Sequence, residues 1–285
     1  MLDLLRHDFV QNAFLAGTLV AILSALVGYF VVLRGQSFAC EALSHIGFAG
    51  ATGAALLGVS SLLGMFFFTF LAAIGMGALG RRLRGRDIEV SMLLSFVLGL
   101  GVLFLSLYTR QASAAVGILF GSILSVTRLD VIITLACGLL TVVLLTVLYR
   151  PLLFASIDPE VAEARGVPVR KLSVLFLLLM ALSVSEAIKV VGVLLVFALL
   201  VVPAAAAEHL THRPLAALLL GVLIGLVSTW GGLALAFIGH WPVSFYIVSL
   251  TSLFYFASLA IHAVRFPGRY REPPHPGREV LPPAR

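Results

Sequence analysis

The chain has 285 residues, 61% hydrophobic and 11% charged, with a net charge of +6 and a mean hydropathy of +1.12. Soluble domains carry roughly 25% charged residues, so these values describe a polytopic membrane protein with the bilayer as its main solvent. They exclude a nucleic-acid binder, because the positive residues gather in short loops between apolar runs and in the tail, where the positive-inside rule places them; two cysteines, Cys40 and Cys137, build no disulfide framework.

A spanning helix takes about 20 apolar residues. The first run, 13–33, is too long for a signal-peptide core and has no small-residue cleavage pattern after it, which predicts a retained span. The second, 41–57, is shorter, rich in small residues and opened by the polar ALSH. Here the stretch CEALSHIGFAG (40–50) sets a thiol, a carboxylate and an imidazole in an otherwise apolar chain. Glu41 and His45 are four apart, so on a helix they stack on one face. A carboxylate in a membrane core costs ~2.5–3.5 kcal/mol on insertion scales and needs a partner or water. Glu41 and His45 either supply oxygen and nitrogen to a divalent cation, a mix suited to Zn²⁺ or Mn²⁺, or bond to each other at a membrane interface. Cys40 points about 100° away from Glu41 and is expected to fill space.

Further spans are predicted at 62–79, 90–108, 129–149, 172–188, 190–207, 215–237 and 245–264. The stretch 115–126 is a re-entrant turn or a broken helix. Gly117-x-x-x-Gly121 and Gly221-x-x-x-Gly225 match the tight-packing pattern of membrane helices. The fold class is thus an all-α integral membrane bundle of eight or nine transmembrane helices. Three basic segments orient it: RRLRGRDIE (81–89), the loop from Arg150 to Lys171, and the tail. All three lie in the cytoplasm if 115–126 does not cross. The N-terminus then falls outside if 41–57 crosses, and inside if it does not. One membrane domain, 1–264, precedes a tail, 265–285, whose Pro and Arg content predicts disorder.

Between the fourth predicted long run and the next lies IDPEVAEARGVPVRK (157–171). Asp158 suits an N-cap and Pro159 the first helical position. Glu160 and Glu163 lie toward the positive end of the helix dipole, and Arg165 toward the negative end. Gly166 suits a left-handed stop, and Pro168 prevents continuation. This predicts a short cytoplasmic helix, either a capped connector or a docking element for a partner.

Among the later polar residues, Glu186 and Lys189 are three apart and are expected to pair at a helix end. Glu208 and His212 repeat the Glu-x-x-x-His spacing at the cytoplasmic mouth, as an exit-side metal site or a solvated helix end; His209 and Arg213 beside them fit the second. The two lysines, Lys171 and Lys189, follow no G-x-x-x-x-G pattern, so a Walker A loop is impossible here, and HExxH and GxSxG are absent.

The ALSH segment, the DPEVAEARGVPVRK loop and the run VVGVLLVFALLVVPAAAA together resemble permease subunits of manganese/zinc-type ABC importers, over roughly residues 10–262. The resemblance implies an ABC importer permease fold and a membrane homodimer, with two cytoplasmic ATP-binding subunits and an extracytoplasmic metal-binding protein. It implies no permanently bound cofactor, only a transported Zn or Mn ion, and no nucleic acid among the partners. It makes the segment with Asp158, Pro159, Glu160, Ala162, Glu163, Arg165 and Gly166 the element received by the ATPase. It also carries the acidic residue and histidine of a D-A-L-S-H type motif onto Glu41 and His45. Glutamate here replaces the usual aspartate. Where relatives have Asp-x-Pro-x-Gly near the last span, this chain has His240-Trp241-Pro242-Val243-Ser244, which makes His240 a candidate pathway residue. The His- and Cys-bearing surroundings tilt the expected cargo toward zinc. The alternatives are an ABC permease for a metal chelate, or a stand-alone secondary cation transporter using Glu41, Glu186 and Glu208.

Overall fold

The computed structural model describes residues 8–79, 87–107, 121, 123–239 and 241–265. The tail beyond Arg265, the loop 80–86, Gly117 of the first predicted tight-packing pair, and His240 lie outside the described residues. Ten helices are described: α1 (Asp8–Leu33), α2 (Ser37–Leu56), α3 (Ser61–Leu79), α4 (Asp87–Leu107), α5 (Arg128–Ile157), α6 (Pro159–Ala164), α7 (Val169–Val191), α8 (Val193–Leu210), α9 (Pro214–Ile238) and α10 (Val243–Arg265). No strand occurs among the described residues. Among the described residues seven helices are long and apolar enough to cross a membrane, and a shorter apolar stretch, Leu94–Leu107, falls in α4.

Contacts at the helix ends sort them into two levels. At one end, Arg34 just past α1 bonds Ser156 of α5 and Ser173 of α7. Arg170 of α7 donates to the Ala78 carbonyl of α3 at 3.3 Å, and His262 of α10 meets the His209 carbonyl of α8 at 2.9 Å. At the other end, Arg128 of α5 pairs with Asp8 of α1 at 3.0 Å, and Lys189 of α7 pairs with Asp130 of α5. Among the described residues the first end carries Arg34, Arg150, Arg165, Arg170, Lys171, Arg213 and Arg265, against Arg128 and Lys189 at the second. The positive-inside rule makes the first end cytoplasmic.

The stretch expected at 41–57 is a full helix. α2 rises 20 residues from the cytoplasmic end and α3 returns, so the start of α1 lies on the outer side. Its small residues hid its length from a hydropathy reading, and they are what lets it sit inside the bundle. Gly50 of α2 and Gly64 of α3 face one another. A Cβ at Gly64 would lie 2.3 Å from the Gly50 carbonyl oxygen, and one at Gly50 would lie 2.6 Å from that of Gly64. The predicted Gly221 and Gly225 make looser contacts, 3.6 Å to α8 and 3.5 Å to α1, so they form no shared crossing.

Two boundaries also move. The run expected to stop at 149 continues as α5 to Ile157, with Pro151 inside; a membrane helix tolerates a lost backbone bond that its neighbours re-satisfy. The junction expected near 189 falls at Gly192, whose φ of +84° ends α7 and starts α8. α5 itself opens with a capping box, in which Thr127 and Asp130 satisfy each other's backbone N–H groups. Of the stretch 115–126, the described part is Gly121 and 123–126, with a 3₁₀ turn at Ile123–Ser125, beside α1.

α1, α2, α7 and α8 hold most of the buried side chains, including Phe30, Leu43, Phe48, Phe176, Met180, Leu195 and Leu199. Phe30 packs edge-on against Tyr149 and Phe176, with ring centroids 6.0 and 6.2 Å apart, tying α1 to α5 and α7. α5 and α10 instead turn leucines and phenylalanines outward.

Candidate functional site

α2 places Glu41 and His45 one turn apart, about 6 and 12 Å above its cytoplasmic start at 1.5 Å per residue. Both side chains are half-buried. No hydrogen bond joins them among the described residues, so the pair is not the mutually bonded alternative. The His45 Nδ1 atom is buried without a partner, although buried polar atoms are nearly always satisfied. An imidazole nitrogen without a protein partner, one helical turn from a carboxylate, is a donor set for a cation or for water.

The surroundings hold the pair in place. Ser44, between them, turns its hydroxyl back to the Cys40 carbonyl at 3.0 Å, and Cys40 is completely buried. The thiol is a packing group, as expected, which leaves oxygen and nitrogen as donors. Gly47 lies so near α7 that a Cβ would sit 2.7 Å from Ile188.

Glu208 lies in the last turn of α8, which packs on α2, and its Oε1 atom is also buried without a partner. His212 does not join it on one helical face. α8 stops at Leu210, Thr211 is extended with φ −150° and ψ 140°, and His212 is exposed in the link before Pro214. A residue preceding proline is pushed out of helical geometry, so the link through Arg213 cannot stay helical. His209, expected to be solvated, packs on α10 against Tyr255 and His262, each with ring centroids 5.6 Å away. No three His, Cys, Asp or Glu side chains come together to hold a metal among the described residues. Among the described residues Glu41 and His45 thus stand as a pair on α2 and not as part of a larger cluster of such side chains.

The pairing expected between Glu186 and Lys189 is not formed. Lys189 reaches across to Asp130, while Glu186, 2% exposed, accepts from the Thr134 hydroxyl at 3.0 Å. Both partners lie on α5, because α7 turns these residues toward that neighbour; spacing along one helix carries no information about the helix beside it.

The short helix α6 forms as its sequence predicts. Asp158 Oδ1 accepts from Val161 N at 3.0 Å, Pro159 holds the first position, and Gly166 turns left-handed with φ +83°. Val167 N then returns to the Ala162 carbonyl at 3.0 Å, closing the C-terminal turn. Ala162 is fully buried against the bundle, while Glu160, Val161, Glu163 and Arg165 stand exposed on the cytoplasmic side. One face anchors and the other is presented.

The sequence reading passed over Arg34. It is half-buried in the α1–α2 turn, with its guanidinium over the Phe176 ring at 5.4 Å. Burial lowers its pKa from the ordinary guanidinium value, yet an arginine stays charged. Its signal was a lone arginine ending an apolar run, overshadowed by the larger basic clusters.

The description ABC 3 transport family matches residues 6–262. The chain belongs to the ABC 3 transport family. It is 32% identical over 232 residues to the manganese transport system membrane protein MntC of Halalkalibacterium halodurans, covering 81% of this chain and 80% of that one. It is 29% identical over 257 residues to the manganese import system permease protein ScaB of Streptococcus parasanguinis, covering 90% and 91%. Its fold matches the solved PsaBC of Streptococcus pneumoniae in complex with Fab, with a TM-score of 0.82, 28% identity, and 90% and 94% of the two chains covered. An inward-facing structure of a putative metal-chelate type ABC transporter has the same fold, with a TM-score of 0.63 at 20% identity. The chain is thus a multi-pass permease of the plasma membrane, of the ABC importer kind.

Proposed function

We propose that this chain is the permease subunit of an importer for a divalent transition-metal ion, manganese foremost. ATP is hydrolysed by separate cytoplasmic subunits that dock on α6. An extracytoplasmic protein delivers the metal, and a second copy of the chain completes the pathway. The observation that carries this is the α2 pair, Glu41 below His45, with the His45 Nδ1 atom buried and without a partner. A carboxylate and an imidazole bind Mn²⁺ or Zn²⁺ without the closed coordination that would trap either. The tilt toward zinc rested partly on Cys40, which is buried and turned aside; a donor set of oxygen and nitrogen suits manganese equally well, and the relatives named for manganese favour it. The lack of a Walker A loop in this chain supports ATP hydrolysis elsewhere.

The test is ATP-dependent uptake of radioactive manganese and zinc into vesicles holding this chain with its ATP-binding subunits and its binding protein. Wild type is expected to take up manganese. Glu41→Ala and His45→Ala, at equal membrane levels, are expected to lose at least about tenfold, the scale of one lost charge-assisted contact. Uptake by both variants at the wild-type rate refutes the α2 site, and uptake of zinc alone replaces the cargo.

A further inference from the structure

We propose that Arg34 is a positioning residue that transmits displacement of the short cytoplasmic helix α6 to the metal-binding helix α2. This role presupposes the proposed importer function and adds a mechanical link to it.

The link is built from contacts on both flanks of α6. Arg34 Nη1 donates to Ser156 Oγ at 3.4 Å, and Arg34 Nη2 donates to Ser173 Oγ at 2.6 Å. Ser156 is the penultimate residue of α5, two residues before the cap of α6. Ser173 lies in the second turn of α7, after α6 has closed. Ser156 donates its own proton to the Leu152 carbonyl at 2.6 Å, which leaves its lone pairs for the guanidinium. One planar fork thus spans the two helices that α6 connects, a geometry that arginine makes and lysine does not.

On its other side Arg34 is joined rigidly to α2. Residues 34–36 alone separate the helices. Arg34 N bonds the Phe30 carbonyl at 3.0 Å, Gly35 N the Val32 carbonyl at 2.9 Å and Gln36 N the Val31 carbonyl at 2.8 Å. Cys40 N then bonds the Gln36 carbonyl at 3.1 Å. The backbone of this turn is fully bonded, while the guanidinium is held at its far end by the two serines and the Phe176 ring. Movement of the α5 and α7 ends is passed to the start of α2, with Glu41 one turn above.

Arg34 is also an expensive choice if adhesion were its only work. Its fork meets two neutral hydroxyls and a phenyl ring, and no carboxylate pairs with it among the described residues. Partial burial of a charge without a countercharge costs stability that an apolar residue of similar size would not. A movable charge-assisted link between three helices accounts for the expense.

Spatial continuity is not coupling, so the test measures coupling. The permease is reconstituted in vesicles with its ATP-binding subunits and binding protein, and manganese imported per ATP hydrolysed is compared for wild type, Arg34→Ala, Arg34→Lys and the double variant Ser156→Ala/Ser173→Ala. ATP hydrolysis is expected to persist, since α6 keeps its cap and its exposed face. Metal per ATP is expected to fall about tenfold in Arg34→Ala and in the double serine variant, on the scale of a hydrogen bond to a charged group. Arg34→Lys recovers part of the ratio, with the metal KM unchanged throughout. A purely structural role would lower hydrolysis and import together and leave their ratio as in wild type, which overturns the proposal. If Arg34→Ala fails to assemble, the serine variant decides on the same ratio, because it removes only two hydroxyls. A wild-type complex that imports no metal refutes the importer function itself, a distinct result from coupled import that survives every variant.

Discussion

Gly64→Ala and Gly75→Ala place the same methyl group on the same helix, α3, in opposite surroundings. Alanine favours a helix over glycine by about 0.8–1.0 kcal/mol, so both variants gain equally from the backbone. At Gly75 the new methyl meets nothing within 4 Å, and the gain stands. At Gly64 it would lie 2.3 Å from the Gly50 carbonyl oxygen and 2.5 Å from the Ala54 Cβ. Neither is a side-chain tip that can swing aside. Ordinary contact begins near 3.4 Å, so α2 and α3 must separate by about an ångström, and overpacking of this kind costs roughly 1–3 kcal/mol. Gly64→Ala is therefore expected to be the less stable of the two by about 1–3 kcal/mol. The assay is the fraction of purified permease remaining monodisperse after graded heating in one detergent, with metal uptake measured alongside. Uptake is expected to fall in Gly64→Ala alone, since the displaced partner, α2, carries Glu41 and His45. Equal stability of the two variants would refute the close α2–α3 contact and with it the account of how α2 is held.

Lys189→Met is expected to lose about 1–3 kcal/mol by leaving the half-buried Asp130 carboxylate without its countercharge, held only by its Thr127 capping bonds. Asp130→Asn in the same chain is expected to restore part of that loss, which a double-variant cycle of thermal stability would detect. Gly166→Ala forces a left-handed backbone position on alanine, at about 1–2 kcal/mol, and loosens the end of α6. Weaker co-purification with the ATP-binding subunits at unchanged membrane levels is the expected result; wild-type recovery would mean that α6 is a connector only. Asp158→Ala removes the cap of α6, worth about 1 kcal/mol, and is expected to weaken the same association to a similar degree.

The apolar runs, the short helix α6 and the stacking of Glu41 on His45 were legible in the chain because each depends on residues within a few positions of one another. Hydropathy adds along a single segment, a cap is a contact between residues three apart, and helical periodicity alone puts positions 41 and 45 on one face. α2 shows where that limit begins. Its length was obscured because small residues lower hydropathy, yet they suit a helix whose neighbours approach to backbone contact at Gly50 and Gly64. Tertiary structure alone decided the partners. Glu186 bonds Thr134, 52 positions away, and Lys189 bonds Asp130, 59 positions away, so the nearer pairing that spacing suggested never forms. Arg34 meets serines 122 and 139 positions along the chain. A helix fixes which face a side chain shares, but which neighbour that face meets is settled only when the whole bundle packs.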